Sequence, residues 1–304
     1  MSHTPPASPA PSASLTSQEI ATQPQCWKNA LELLPDIAPA LPAKGEHVAV
    51  IGCGTSLFMA QAYAHLREDA GHGPTDAFPA STARLSRRYD RIIALTRSGT
   101  TTEILTALAG ADPAARVTTI TAVPDSPAAR VAHDVIALEE ADERSVVQTR
   151  YPTTQLILLM AHLGHAIEQA QADAVTALGA PLDPELLGAE QITFLGDGWH
   201  AGLAHEAALK VREAAAHWTE SYPVPEYRHG PIAVAAPGRA VWSLSPLPAE
   251  LARRIEATGA HLRQPEFDPL TELVLAQRLA VRLAEDAGRD PDRPAHLTRS
   301  VVLS

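Results

Sequence analysis

The chain has 304 residues, of which 45 % are hydrophobic, 4 % aromatic and 19 % charged, with a formal net charge of -11. That length suffices for two domains or one large α/β domain. The acidic balance excludes a nucleic-acid partner, which needs clustered Lys and Arg, but allows a small phosphorylated ligand held by a local positive patch. Two cysteines, Cys26 and Cys53, exclude a disulfide framework and offer no metal-ligand spacing, so no metal and no cofactor are expected. The absence of an apolar run of membrane-span length and of a signal-peptide pattern reads as a soluble, cytoplasmic protein with no membrane partner.

Residues 1–16 are rich in Pro, Ala, Ser and Thr and read as a disordered tail. A helix is predicted from Ser17 to about Leu34, with Pro35, Pro39 and Pro42 as punctuation. A β/α rhythm then begins. His47–Gly52 is a buried strand, and Gly54-Thr55-Ser56 turns into a helix running to about Asp69. Arg91–Thr96 is a second strand, followed by a helix from Thr101. Val117–Val123 and Asp134–Leu138 are two more strands, and a long helix is predicted over Thr153–Ala174. After Pro181 and Pro184 the rhythm restarts with the strand Gln191–Gly196, the turn Asp197-Gly198, a long helix holding Glu213, and the strand Arg239–Leu244. Strands apolar on both faces, alternating with helices, imply parallel sheets. The fold class is therefore α/β, an internal duplication of a doubly wound unit, divided as tail 1–16, first half 17–180 and second half 181–304.

Gly52-Cys53-Gly54-Thr55-Ser56 ends a strand with two glycines, which let backbone approach a ligand at a helix start. It lacks the third glycine of a dinucleotide fingerprint and is not a Walker loop. The plain alternative is a tight turn with Thr55 or Ser56 as N-cap. Thr96-Arg97-Ser98-Gly99-Thr100-Thr101-Thr102-Glu103 sets five hydroxyls and a guanidinium between strand and helix. That pattern suits a phosphomonoester cradle, although Thr100 and Glu103 also have capping-box spacing. Glu143 to Gln155 reads as a polar connection at the sheet edge. On the predicted helix of the second half, Glu206, Lys210 and Glu213 fall on one face. A carboxylate on a rigid helix with an imidazole nearby, here His229 in His229-Gly230-Pro231, suits proton transfer at carbon. Spacing alone equally describes a solvated charged face.

Taken in order, Cys53–Ser56, Leu95–Thr101, Thr149–Leu156, Glu206–Glu213, His229–Pro231 and Asp292–Leu303 resemble the sugar isomerase (SIS) family, and within it the isomerase part of glucosamine-6-phosphate synthase. The resemblance covers about residue 17 to the end. It implies two tandem SIS subdomains, each a mainly parallel doubly wound sheet flanked by helices, and a homodimer with sites near the subunit boundary. It implies a phosphorylated amino sugar bound against Ser56, Thr96, Arg97, Ser98 and Thr101, with Val146 and Arg299 completing the binding set. It makes Glu213 the acid/base at C1 and C2, puts Lys210 near the sugar hydroxyls, and makes His229 the ring-opening residue from the partner subunit.

Two departures shape the expected reaction. The residues before Ser17 hold no glutaminase, so glutamine-driven synthesis is not expected. Arg299 stands where the synthase has its imine-forming lysine, and a guanidinium stays protonated and cannot form that imine. C2 proton abstraction from N-acetylglucosamine 6-phosphate or glucosamine 6-phosphate is thus expected, followed by loss of the C3 hydroxyl. Aldose–ketose isomerisation or deamination is the alternative outcome. A noncatalytic sugar-phosphate sensor is the alternative of another class.

Overall fold

The structure, a computed structural model, describes residues 13–303. Most of the proline- and alanine-rich N-terminal segment lies outside the described residues. Its last residues are ordered: helix α1 (Leu15–Ala21) begins before Ser17. Asp292 explains this, because its carboxylate accepts from Leu15 N, Thr16 N and Thr16 Oγ1 at 2.7–2.8 Å. The predicted helix 17–34 is two helices that meet at Thr22, α1 and α2 (Gln23–Ile37). Pro35 sits inside α2 rather than ending it.

The first sheet contains β1 (Val48–Gly52), β2 (Thr75–Pro79), β3 (Arg91–Leu95), β4 (Arg116–Thr121) and β5 (Asp134–Ala137), in the order β2-β1-β3-β4-β5 and parallel throughout. The second contains β6 (Gln191–Gly196), β7 (Thr219–Pro223), β8 (Arg239–Ser243) and β9 (His261–Arg263), in the order β7-β6-β8-β9, again parallel. The two sheets repeat one winding. The central strands β1, β3 and β6 are buried at every residue, which is why their unbroken apolar runs were legible. The strands β2, β7 and β9 were not foreseen. They are mostly half-buried edge strands, and the first two carry Asp76, Glu220 and a terminal proline each, a composition that does not read as a buried strand.

The crossovers are α3 (Thr55–Asp69) between β1 and β2, α4 (Thr102–Ala109) between β3 and β4, and the single turn α5 (Pro127–Arg130) before β5. The predicted helix 153–174 is instead α6 (Arg150–His162) and α7 (Glu168–Gly179), parted at Gly164, whose φ of 85° ends the first helix. The second half adds the short α8 (Pro184–Gly188), α9 (His200–Ala215), the short α10 (Val224–Tyr227), α11 (Ala249–Glu256) and α12 (Pro269–Asp286). α12 packs on α9 and α7, and α3 packs on α9, so helices of both halves share one apolar core. Among the described residues no helix is long and apolar enough to cross a membrane.

The α3–α9 contact is close because Gly202 has no side chain: a Cβ there would stand 2.5 Å from Phe58 O and 3.0 Å from the Ala62 methyl. The obstruction is backbone, so the helices would have to separate. Gly202→Ala is expected to lower stability by roughly 1–3 kcal/mol despite alanine's better helix propensity. Urea denaturation measures this, and an unchanged midpoint would show that the crossing can yield without cost.

Candidate active site

The turn from β1 into α3 is shaped by two glycines. A Cβ at Gly52 would stand 2.4 Å from the Ser56 carbonyl carbon, and Gly54 takes φ 52°, ψ -123° as the N-cap of α3. Gly54, not Thr55 or Ser56, is therefore the cap, because that backbone conformation strongly favours glycine. Both hydroxyl residues are buried inside the first helical turn. Thr55 faces the second half, where its Oγ1 accepts from Lys210 Nζ at 3.0 Å.

The turn from β3 into α4 carries the hydroxyl cluster. Thr101 is the N-cap of α4 but makes no side-chain capping bond. Thr100 and Glu103 do not form a capping box. Thr100 Oγ1 lies 3.0 Å from Ser98 Oγ and 2.7 Å from Ser300 Oγ instead. Ser56, Thr96, Arg97, Ser98 and Thr101 line one small cavity together with Arg299. Cys53 and Gln148 line it too, and neither was foreseen there. Gln148 lay in a stretch already singled out, and its buried Oε1 has no hydrogen-bond partner among the described residues. Val146 is not among the lining residues; its carbonyl accepts from Arg97 Nη2 at 3.2 Å.

Arg97 does not offer a free charge to this cavity. It is buried, with Nη1 3.4 Å from Glu143 Oε2 and 3.2 Å from Ser145 O, while Nη2 also donates to Arg299 O at 3.0 Å. The guanidinium clamps the 143–149 segment and the C-terminal tail around the hydroxyls. The tail then crosses the cradle: Thr102 N donates to Val301 O at 3.2 Å, and Leu303 N to Thr102 Oγ1 at 2.9 Å. The Arg299 side chain pairs with Asp142.

The second cluster sits on α9. Glu206 and Lys210 are fully buried, whereas the Glu213 side chain is 22 % exposed. Lys210 Nζ is hydrogen-bonded to Glu213 Oε2 and stands 3.4 Å from Glu206 Oε1. Neither Glu206 oxygen has a hydrogen bond of normal geometry among the described residues. Burial tends to neutralise Lys210, but the carboxylates of Glu206 and Glu213 outweigh it and raise its pKa. Burial also pushes the Glu206 carboxyl up to about 8, against the pull of Lys210 and with Glu213 adding to the rise. The cluster is thus a buried Glu206 whose carboxyl is shifted towards its neutral form, a Lys210 held as the ammonium, and the Glu213 carboxyl group at the cavity wall.

Glu213 lines a cavity of about 550 Å³ that the tail residues Arg289, Asp290 and Arg293 to Leu297 also line. His229 is exposed on the turn after α10, its N–H bonded to Glu226 O at 3.0 Å, and lines neither this cavity nor the cradle. One chain alone therefore does not bring His229 to Glu213. Among the described residues no three His, Cys, Asp or Glu side chains are grouped to hold a metal.

The Glu206 shift has a stability consequence. Its folded-state pKa of about 8 exceeds the ordinary 4.5, so between these values the folded protein keeps a proton that the unfolded chain has lost. Stability contributed by this group is full below about pH 4.5 and declines as pH rises towards about 8. Glu206→Gln removes that decline. Its melting temperature should gain on the parent between pH 5 and 8, by the equivalent of about 1–3 kcal/mol. Parallel curves would mean that Glu206 is ionised in the fold.

Residues 43–163 match the SIS domain family. A glutamine–fructose-6-phosphate aminotransferase (isomerizing) from Bordetella parapertussis is 25 % identical over 99 % of this chain and 60 % of its own length. The chain thus spans about three fifths of that relative. Among solved structures, a glucosamine-6-phosphate deaminase from Thermotoga maritima superposes with a TM-score of 0.80 at 24 % identity, covering 95 % of this chain and 100 % of that one. The C-terminal domain of a glucosamine-fructose-6-phosphate aminotransferase from Francisella tularensis gives 0.79 at 20 % identity, covering 93 % and 99 %. Residues 43–163 thus carry the match to the SIS domain, and the chain as a whole is similar in sequence to glutamine–fructose-6-phosphate aminotransferases.

Proposed function

We propose that the protein is an isomerase-type enzyme of amino-sugar 6-phosphates, in which Glu213 removes the C2 proton. The observation that carries this reading is the Glu213 carboxyl group: partly open to solvent, set on a rigid helix, and backed by a fully buried Lys210 ammonium. A carboxylate so held keeps its position while trading a proton with carbon. The hydroxyls of Ser56, Thr96, Ser98 and Thr101 take the phosphate at the other end of the sugar. Lys210 acts on Glu213 and the sugar hydroxyls, and Arg299 closes the cradle by its backbone and its pairing with Asp142.

The aminotransferase relatives are named as isomerizing, and a fold neighbour is named as a deaminase. These names favour isomerisation with release of the amine over loss of the C3 hydroxyl. Glucosamine 6-phosphate is then the first substrate to test, with N-acetylglucosamine 6-phosphate as the elimination substrate. The protein works as a cytoplasmic homodimer in this reading, because the exposed His229 turn reaches a sugar only in the site of a second copy.

In heavy water, proton NMR should show deuterium entering C2 of glucosamine 6-phosphate, with a ketose 6-phosphate and ammonia as products. Glu213→Gln should slow exchange by roughly 10²–10⁴-fold while leaving sugar-phosphate binding in place. Undiminished exchange in that variant would sink the mechanism. Water loss from the N-acetyl sugar would select elimination instead. Binding without exchange of any sugar would leave a sensor.

A further inference from the structure

The tail that lines the cavity with Glu213 is fixed at two points. Upstream, Asp292 is held by the first amides of α1 and by Thr16 Oγ1. Downstream, Arg299 O is held by Arg97. Between these anchors the chain makes one unusual turn, at His296, whose φ is 66°. Only one other described non-glycine residue, Ala216, has positive φ. Ala216 has an ordinary reason, since it ends α9 in the left-handed conformation with its N–H on Arg212 O. His296 caps no helix. Glycine or asparagine would take this backbone more readily than histidine, so the turn itself does not call for an imidazole.

The His296 ring is exposed, makes no hydrogen bond among the described residues, and lines the same cavity as Glu213. The other charged groups on that cavity are Arg212, Arg289, Asp290 and Arg293. Of these, Arg212 is already bonded to Thr219 O and Oγ1 at 3.1 Å. Guanidiniums do not exchange protons at neutral pH, and the Asp290 carboxylate already accepts from Asp292 N at 2.9 Å, which leaves His296 as the imidazole that shares this cavity with Glu213.

We infer that His296 is a second acid–base residue of the site, supplied by the same subunit as Glu213. The inference rests on the proposed C2 chemistry. As Glu213 takes the C2 proton of the open-chain sugar, the C2–H electron pair becomes the C1–C2 double bond. The C1 carbonyl π pair moves to O1, and the His296 imidazolium protonates O1. Glu213 ends protonated and His296 neutral. When the proton goes to C1 instead, Glu213 gives it and the C1–C2 π pair becomes the C1–H bond. The C2 nitrogen lone pair forms the C2=N bond, and neutral His296 accepts the N–H proton. This leaves a C2 imine that water hydrolyses to the ketose and ammonia. General acid assistance of this kind is worth roughly 10²–10⁴-fold in rate.

The test uses the full-length protein, glucosamine 6-phosphate and heavy water, with C2 exchange followed by proton NMR. His296→Asn and His296→Gly both suit the left-handed backbone, and thermal melts establish that they fold. Both should lose roughly 10²-fold or more in exchange rate, while titration calorimetry shows unchanged sugar-phosphate binding. Added imidazole should restore exchange in His296→Gly, and not in Glu213→Gln, which a purely structural role would not produce. Parent-like exchange in either His296 variant, or a loss that imidazole does not rescue, overturns this inference and leaves the Glu213 reading standing. No exchange by the parent protein overturns both.

Discussion

The Lys210 ammonium is the charge around which the two halves are joined. Removing an ammonium from water costs several kcal/mol unless partners surround it. Lys210 is fully buried, so its partners have to converge: Thr55 from the first turn of α3, and Glu206 and Glu213 from α9 itself. Those contacts require α3 and α9 to cross closely, which Gly202 permits and the small buried residues Ala204, Ala207 and Ala208 sustain. They also require the turn before α3 to present Thr55 inward, which the left-handed Gly54 achieves. The partly exposed Glu213 is then the open end of a polar column whose closed end is the buried Glu206.

A second buried pair does similar work for the cradle. Arg97 and Glu143 are both out of water, and the carboxylate also accepts from Thr149 Oγ1 and Arg150 N at 2.8 Å. A hydrogen-bonded buried pair fixes geometry more than it adds stability. Here it holds the 143–149 segment, the hydroxyl turn and the tail in one arrangement. The site is thus assembled from the tips of β1 and β3, from one helix of the second sheet, and from the last residues of the chain.

Much of this was legible in the residues. The unbroken apolar runs at Val48, Arg91 and Gln191 announced central parallel strands, because burial on both faces leaves no polar alternation. The spacing of Glu206, Lys210 and Glu213 announced one helical face. The failures share one cause, competition from residues distant in the chain. Thr100 had capping spacing but found Ser98 and Ser300 instead. Arg97 looked like a phosphate ligand, yet both of its terminal nitrogens are taken, by Glu143 and three carbonyls. Thr16 looked like part of a loose tail until Asp292 supplied its partners.

Local pattern by itself determined the α/β class, the repeated winding, the glycine turns and the set of hydroxyl and charged residues proposed for the chemistry, because each depends on periodicity and backbone freedom within a few residues. Only the tertiary structure decided which of those charges are paired, neutral or open to substrate. It sent Arg97 into a clamp, shifted Glu206 towards its neutral form beneath Lys210, kept His229 away from Glu213 within one chain, and turned His296 towards the same cavity as Glu213. The physical reason is that charge state and hydrogen-bond partners depend on burial and on contacts between segments more than 100 residues apart, about which spacing along the chain carries no information.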